Sequence, residues 1–398
     1  MVKKQVFASL LLTTFLLSCE IEKPSLINHV VDGYFLQDEF VFPMNTITQL
    51  KMYYQDQYNE VSDRFDEIVI SLSKEVDRYH NYEGLNNLKT INDSCGSGEY
   101  IKVSKELFEL IRLSIELTKL SEGKFNLAMG NIIDLYSSKI SEDYVGREDT
   151  LFDEDIILNY VESIPSYDII EDIIILKSED SSIMLNKYKD NDVIISLGAI
   201  AKGYVMHKAY EYLKLFDYPA LFDAGMSTMG TVNNKSKDGW TIRLNTPSLL
   251  SRNDVMLDFS FEGDAFISTS GDYQQYFKYK DENNNTRLMH HIIDPYTGIS
   301  NNFLRSVTLL SKDANLAILD SLSTVIFNCY NDEEILSTID LFEKTYNCKI
   351  SYLISKPLIN ENDVYDYESF NILVSSSFDS LKVGDYSSNV INKVIIDD

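Results

Sequence analysis

Strand-like and helix-like hydrophobic patterns follow each other in an irregular order along this chain, and that order limits its fold more than any other feature. From Tyr58 to Val76, apolar residues recur at spacings of three and four, which predicts an amphipathic helix. Short β-type runs dominate the second half, at 240–244, 256–261, 265–269 and 306–310. Because helices and strands do not alternate one by one, as βαβ units would require, we predict an α+β protein with a mixed sheet.

Further helices and several shorter segments complete this outline. Ser104 is placed to cap a helix that ends at Gly123, and other helices are predicted from Ala201 to Leu215 and from Asn315 to Cys329. A β-type run at Val193–Leu197 leads into Gly198, whereas the acidic stretch 141–192 is interpreted as short strands and loops. Additional strands are expected near 44–54, 350–354 and 370–374.

The N-terminus carries the pattern of a lipoprotein export signal. Lys3 and Lys4 precede an apolar stretch that is too short to cross a bilayer as a mature helix, and the stretch ends in Leu16-Leu17-Ser18-Cys19. A leucine, two further residues and a cysteine form a bacterial lipobox. We therefore predict a signal peptide over 1–18, acylation of Cys19 (a palmitate-type anchor) and a tether over 19–40. The alternative is a buried helix with an incidental cysteine.

Composition narrows the classes of partner. The 398-residue chain is 44% hydrophobic and has a formal net charge of -27 with a pI near 4.5. It lacks the basic surface that nucleic-acid binding requires, so nucleic acid is not an expected partner. Beyond Cys19 it has Cys95, Cys329 and Cys348, an odd number without CxxC spacing, which argues against a disulfide scaffold and a zinc site.

The segment Ser196–Tyr204 is the first of four clusters that suggest chemistry. Its sequence predicts a strand that ends at Gly198, a tight turn, and Lys202 about one turn into a helix. Such a strand-to-helix turn offers backbone N–H groups and a cation to an anionic ligand. A Gly-Ala turn with a solvated lysine is the simpler interpretation when this segment is taken alone.

The other three clusters supply serine, histidine and carboxylate groups. Ser268–Tyr273 closes a β-type run, and His290–Gly298 places two adjacent histidines before an Asp-Pro turn. Asp320 and Thr324 are four residues apart, so they share one face of a predicted helix. A carboxylate and a hydroxyl in that arrangement form part of an oxygen shell suited to Mg²⁺. The alternative is a polar stripe that faces solvent.

Taken in order, these clusters resemble one family. The set Leu-Gly-Ala-Ile-Ala-Lys-Gly-Tyr, Thr-Ser-Gly-Asp-Tyr, His-Ile-Ile-Asp-Pro-x-Thr-Gly, Ser-Val-Thr (306–308) and Asp-Ser-Leu-Ser-Thr is similar to the ApbE family of bacterial FAD:protein FMN transferases, typically periplasmic lipoproteins. The resemblance spans about 44–354. It implies a mixed-sheet, T-fold-like architecture of two subdomains over 41–356, followed by a β-rich extension with a polar end at 357–398.

The resemblance also implies roles for individual residues. His291 corresponds to a general base, and metal contacts would come from the backbone carbonyl of Ala199 and the side chains of Asp320 and Thr324. Contacts to FAD or its flavin are implied at seven positions, namely Met44, Tyr79, Lys124, Phe125, Asn126, Ser196 and Lys202.

Four positions depart from the family pattern. Asn45 and Met226 stand where the family usually has glycine, and Asn126 and Ser196 replace expected aspartates. These changes imply a weaker affinity for the nucleotide or a subgroup with a different acceptor.

The implied reaction uses FAD as substrate and Mg²⁺ as cofactor. FMN would pass to a Thr or Ser hydroxyl of an acceptor flavoprotein, expected to be a membrane electron-transfer subunit, and AMP would be released. The enzyme would be anchored to the membrane by its lipid and would face the periplasm. Three alternatives remain open: an FAD pyrophosphatase that yields FMN and AMP, a non-catalytic flavin-binding lipoprotein, and a surface adhesion module.

Overall fold

The computed structural model describes residues 26–36, 39–53, 56–143, 154–233, 240–250, 254–280, 286–359 and 365–397. The predicted signal peptide and Cys19 lie outside these residues. The helices within them are α1 (Tyr58–Val76), α2 (Leu88–Asp93), α3 (Lys105–Leu120), α4 (Gly130–Asp143), α5 (Glu154–Glu162), α6 (Ile170–Ile173), α7 (Ala201–Leu213), α8 (Leu316–Phe327), α9 (Asp332–Tyr346) and α10 (Ser376–Asp379), with a 3₁₀ turn at Pro43–Asn45.

The strands in the same residues are β1 (Leu26–Val30), β2 (Tyr34–Leu36), β3 (Glu39–Val41), β4 (Thr48–Tyr53), β5 (Ile101–Lys102), β6 (Ile174–Lys177), β7 (Ser182–Leu185), β8 (Ala220–Ala224), β9 (Thr228–Val232), β10 (Trp240–Asn245), β11 (Val255–Phe261), β12 (Ala265–Gly271), β13 (Tyr276–Lys280), β14 (Thr286–His290), β15 (Ser306–Ser311), β16 (Ser351–Ile359), β17 (Tyr365–Ser375), β18 (Lys382–Val383) and β19 (Val390–Ile396).

One nine-stranded sheet organises the molecule, in the order β1-β4-β8-β9-β12-β15-β16-β17-β19. Its neighbouring strands pair antiparallel, except that β17 and β19 run parallel. Helices α7 and α8 pack against one face of this sheet, and α1 packs on α7. The smaller sheet β10-β11-β18 covers part of the opposite face. The predicted α+β class with a mixed sheet is therefore confirmed.

The predicted helices form because their local patterns agree with the packing. Helix α1 has the predicted bounds, and it buries Val61, Phe65, Val69 and Leu72 on one face. The Ser104 hydroxyl caps α3 by accepting a hydrogen bond from the Leu107 N–H at 3.0 Å. Helices α7 and α8 lie within their predicted ranges, so four helices are confirmed.

The predicted strand at Val193–Leu197 is wrong. Its backbone groups are bonded to loops and side chains instead of a neighbouring strand: the Asn92 amide bonds both the N–H and the carbonyl of Ile195, at 2.8 and 3.0 Å. The Ile194 carbonyl accepts from the Gly130 N–H at 2.9 Å. An extended segment can thus satisfy its backbone without joining a sheet. The interpretation of 141–192 as strands and loops was also incomplete, since α5 and α6 lie there.

The C-terminal segment extends the main sheet. The predicted domain boundary at 356–357 falls inside β16, and β17 and β19 continue the same sheet beyond it. Ile391, Val394 and Ile395 on β19 are exposed. None of the helices in the described residues is both long enough and apolar enough to span a membrane.

Candidate active site

A buried carboxylate lies at the centre of the site. Asp320 of α8 is only 6% exposed. Its Oδ2 accepts a hydrogen bond from the Gly203 N–H at 2.9 Å, and its Oδ1 accepts from the hydroxyls of Thr228 and Ser268, both at 3.1 Å. Burial raises the pKa of Asp320, whereas the positive charge of Lys202 acts in the opposite direction. The prediction that this helix face is a solvated polar stripe is excluded for Asp320.

Gly203 allows α7 and α8 to approach closely at this point. A Cβ atom on Gly203 would lie 2.5 Å from the Leu316 carbonyl oxygen and 2.8 Å from the Ala317 Cα. Because only glycine fits there, the first turn of α7 presents its N–H directly to Asp320. Gly203 and Ser268 lie within sequence motifs that did not indicate these contacts, whereas Thr228 lies outside the motifs. No local pattern marks Thr228, because it lies 92 residues from Asp320 along the chain.

The environment of Asp320 fits a small oxygen-preferring cation. Among the described residues no side chain lies within ion-pair distance of this carboxylate, and the positive charge that acts on it is that of Lys202. A carboxylate offers about four lone-pair sites, and the three donors leave capacity for one more partner. Thr324 is half-buried one helical turn away, and Ala199 lies in the turn before α7.

This set of ligands is sparse. Within the described ranges no group of three or more His, Cys, Asp or Glu side chains is placed to hold a metal ion. Mg²⁺ commonly uses one or two carboxylates and completes its shell with water and substrate phosphates. The predicted metal site uses Asp320, with Thr324 and the Ala199 carbonyl as neutral ligands. This set is compatible with the usual coordination of Mg²⁺, and the site stays a prediction.

Lys202 brings a positive charge to the same region. Its Nζ donates to the Ser227 hydroxyl at 2.8 Å, and the Ser227 carbonyl accepts from the Thr269 N–H at 2.7 Å. Helix α7 starts at Ala201, so Lys202 lies in its first turn, as predicted. The charge of Lys202 acts on both Asp320 and His291.

The two adjacent histidines have different environments. His290, the last residue of β14, is fully buried, and its Nε2 bonds the Asn301 carbonyl at 3.1 Å. Burial is the main cause that lowers the pKa of His290 to about 3, so the ring is neutral and structural. His291 follows the strand instead of lying inside it, and its side chain is exposed to solvent.

The tautomer of His291 follows from its partner. Its Nδ1 lies 3.3 Å from the Gln275 carbonyl oxygen, which can only accept, so Nδ1 carries the proton and Nε2 is the basic nitrogen. Desolvation by the surrounding protein and, second, the charge of Lys202 lower the pKa of His291. The exposure of the ring limits the desolvation, and the charge of Lys202 lowers the pKa of His291 in the same direction.

Two nearby carboxylates are unsuited to act as bases. Asp272 is 1% exposed and forms an ion pair with the fully buried Arg305 at 2.7 Å. Burial raises the pKa of Asp272 to about 6 although Arg305 opposes the shift. Asp294 is equally buried and accepts from the Tyr330 hydroxyl and the Tyr296 N–H. Neither carboxylate is accessible to a substrate.

The side chains of residues 124–126 are held by an ion pair, by burial and by hydrogen bonds. Lys124 forms an ion pair with Glu334 at 3.0 Å, and Phe125 is buried. The Asn126 amide donates to the Pro165 carbonyl and accepts from the Ala128 N–H, both at 2.9 Å. The predicted flavin contacts at these three positions are untested.

Hydrogen bonds connect this segment and the adjoining Leu127 to the other motifs. The Ser196 N–H donates to the Leu127 carbonyl at 2.8 Å. The Asn328 amide donates to the Lys124 carbonyl at 3.0 Å and to the Ile293 carbonyl at 3.3 Å. Asn328, which no sequence motif indicates, ends the helix that carries Asp320 and so connects three motifs in one cluster.

Two turns with strained backbone border the site. Met44 and Asn45 both have φ +53°, and Met226 has φ +54°. The two turns touch, since the Gly225 N–H donates to the Ile47 carbonyl at 2.8 Å. Left-handed φ is costly for residues with a Cβ, which explains why glycine is favoured at the positions of Asn45 and Met226.

Met226→Gly is therefore expected to stabilise the fold by about 0.5–1 kcal/mol. The relief of left-handed strain outweighs the larger conformational entropy that glycine gives to the unfolded chain. Met226 is 73% exposed, so little burial is lost. The measurement is the urea midpoint at constant m-value. Met226→Ala is the control, since it keeps the Cβ. An equal gain in the alanine variant would contradict the explanation by strain.

Comparison with known proteins assigns the chain to a family. The sequence profile of the ApbE family matches residues 44–345. The chain belongs to the ApbE family. The matched region contains every predicted catalytic, metal-binding and FAD-binding residue, because Met44 and Thr324 are the outermost of them.

Curated ApbE relatives match part of the chain. The FAD:protein FMN transferase of Klebsiella pneumoniae is 27% identical over 226 residues, which cover 56% of this chain and 63% of the relative. That of Vibrio cholerae is 29% identical over 234 residues, covering 57% and 62%. The chain thus spans about three-fifths of the length of the curated relatives it matches.

Solved ApbE structures share the fold. The ApbE protein of Thermotoga maritima has a TM-score of 0.65 at 19% identity and covers 90% of this chain and 100% of its own. The flavinyl transferase ApbE of Pseudomonas stutzeri gives 0.63 at 16% identity, covering 92% and 100%. The resemblance to this fold, predicted from the motifs, is confirmed.

Proposed function

We propose that this protein transfers FMN from FAD to a Thr or Ser hydroxyl of an acceptor protein, with release of AMP and dependence on Mg²⁺. Membership in the ApbE family supports the proposal, as do the relatives named FAD:protein FMN transferase. The observation that carries it is the buried Asp320 carboxylate, which has no direct ion-pair partner among the described residues. The charge of Lys202 acts both on this carboxylate and on the exposed His291.

The site residues have different roles in the proposed reaction. Asp320 and Thr324 would hold Mg²⁺ with the Ala199 carbonyl, and the bound ion would neutralise pyrophosphate charge and make phosphorus more electrophilic. Lys202 binds the anionic phosphates near the start of α7, where backbone N–H groups also favour anions. His291 Nε2 accepts a proton from the attacking hydroxyl.

The proposed reaction is a phosphoryl transfer. The acceptor oxygen forms a bond to the phosphorus on the FMN side of FAD, and the bridging P–O bond to the AMP phosphate breaks. The hydroxyl proton moves to His291, and AMP leaves with the bridging oxygen. FMN then stays on the acceptor as a phosphoester.

The flavin end of FAD is assigned to residues from three separate segments of the chain. Met44 lies in the strained 3₁₀ turn, and Tyr79 follows α1 with a half-exposed ring. Ser196, whose N–H donates to the Leu127 carbonyl, is assigned to the adenosine side of FAD. We assign flavin contacts to Lys124, Phe125 and Asn126, with Tyr79 packing on the isoalloxazine ring.

The test is incubation of the protein with FAD and Mg²⁺, followed by quantification of AMP. Release of AMP distinguishes an enzyme from a flavin-binding lipoprotein or an adhesion module, neither of which consumes FAD. A fluorescent protein band that survives denaturing electrophoresis distinguishes a transferase from a pyrophosphatase, which yields free FMN. Absence of AMP under all magnesium concentrations would overturn the proposal.

The location of the reaction is part of the proposal. The lipobox ending at Cys19 supports export and attachment to a membrane, facing the periplasm. An anchored enzyme would meet an acceptor that is itself held at the membrane, such as a subunit of an electron-transfer complex.

Cys19→Ala is expected to move the protein from the membrane fraction to the soluble fraction or to leave the signal uncleaved, because it removes the acylated thiol. The measurement is cell fractionation with mass determination of the N-terminus. Cys95→Ala, which changes a half-buried thiol outside the lipobox, is the control and should fractionate normally. A correctly processed Cys19→Ala protein that stays in the membrane would refute the anchor.

A further inference from the structure

Tyr79 combines exposure with tight restraint. Its side chain is 49% exposed, yet its hydroxyl accepts from Arg78 Nη2 at 2.6 Å. The Arg78 guanidinium also lies 4.5 Å from the centre of the ring. The Tyr79 backbone N–H donates to Asp77 Oδ1 at 2.7 Å. Exposed aromatic side chains usually keep rotamer freedom, so a ring fixed in this way is preorganised.

Arg78 is itself held by a second residue. The Arg78 side chain is only 7% exposed, and its two Nη atoms contact the two carboxylate oxygens of Asp134 at 2.5 and 3.1 Å. Such bidentate pairs fix the plane of the guanidinium as well as its position. Asp134 belongs to α4, so the pair fastens the loop after α1 to another helix.

The first turn of α4 also contacts the segment that leads into the site. The Gly130 N–H donates to the Ile194 carbonyl, and the Asn131 amide donates to the Asp192 carbonyl, both at 2.9 Å. Ile194 comes two residues before Ser196. One helix therefore braces both the Tyr79 ring and the start of the segment that carries Ser196 and Lys202.

We propose that Arg78 and Asp134 are positioning residues, which fix the Tyr79 ring as a rigid platform for the isoalloxazine ring of FAD. Arg78 covers part of the tyrosine ring, and the exposed remainder is presented to the flavin. This assignment rests on the proposed function for the identity of the ligand, but it concerns binding and not turnover. The competing interpretation is an ion pair that only stabilises the fold.

The experiment measures FAD affinity by isothermal titration calorimetry for the full chain and its variants. Asp134→Asn removes the charge that holds Arg78, and Arg78→Lys removes the planar fork while keeping the charge. Each is expected to weaken FAD binding about 2- to 10-fold, the effect of losing the preorganisation of one side chain. Asp258→Asn is the control, because Arg243 and Asp258 form another two-contact pair, on β10 and β11, with a more exposed arginine. It should bind FAD normally.

A double-mutant cycle separates positioning from stability. In a Tyr79→Leu background, Asp134→Asn should have no further effect on FAD affinity, although any loss of thermal stability would persist. Normal FAD affinity in both Asp134→Asn and Arg78→Lys, or an undiminished effect in the Tyr79→Leu background, would overturn the proposal. Failure of the proposed function looks different, since a protein that binds FAD without releasing AMP still gives a complete cycle.

Discussion

Asp320→Ala is expected to lower Mg²⁺-dependent release of AMP from FAD by at least about 10²- to 10³-fold, the range found when one preorganised electrostatic group is removed from an active site. Asp320 carries the formal negative charge of the proposed metal shell, so its loss leaves the cation mainly neutral ligands. The measurement is AMP release against Mg²⁺ concentration. Thr324→Val should lose less, because a hydroxyl is the weaker ligand.

The same substitution has a cost in folding that the sequence did not reveal. The Gly203 N–H is in the first turn of α7 and has no helical partner, so losing Asp320 leaves it unsatisfied at about 1–3 kcal/mol. Removal of a buried charge acts in the opposite direction. Asp320→Asn keeps an acceptor and serves as the control for folding. Normal turnover of either folded variant at limiting Mg²⁺ would locate the metal elsewhere.

The helices near the site could be predicted from the sequence because their signals are local. The spacing of Val61, Phe65 and Val69 requires one buried face, and Ser104 supplies a cap within one turn of its helix. Periodicity of this kind is independent of what the helix packs against. The bounds of α1 therefore agreed with the pattern at both ends.

The extended segment before Ser196 could not be assigned by the same reasoning. Val193, Ile194 and Ile195 have strong β propensity, but whether such a run joins a sheet depends on its neighbours in space. Here Asn92, about a hundred residues earlier in the chain, takes the hydrogen bonds that a strand would have used. A residue so distant leaves no trace in the local pattern.

The site itself was predictable only where its residues lie within compact motifs. Asp320 and Lys202 could be proposed because their neighbours in sequence resemble the family. Thr228 and Asn328 were missed, because their roles come from contacts with Asp320 and with Lys124 across 92 and 204 residues. The same limitation applies to Asp134, whose partner Arg78 is 56 residues away.

His291→Ala is expected to lower single-turnover FMN transfer by about 10²- to 10⁴-fold with little change in FAD affinity, which is the contribution of a positioned general base. Nε2 is the free basic nitrogen, because Nδ1–H is engaged with the Gln275 carbonyl. His290→Ala is the control: its ring is buried, so the loss should fall on stability, at about 1–3 kcal/mol, and not on the chemical step. A His291 variant that binds FAD poorly yet reacts normally at saturation would make this residue a binding contact.

The pH profile provides an independent check on His291. A base must be neutral to accept a proton, so the rate falls as pH decreases through its pKa. Desolvation and the charge of Lys202 lower that pKa, which places the acid limb of the profile below the ordinary value of about 6.5. Lys202→Met removes the repulsion and should move the limb to higher pH at saturating FAD, whereas Lys202→Arg keeps the charge and should leave it in place. A limb that is identical in His291→Ala would assign the titration to another group.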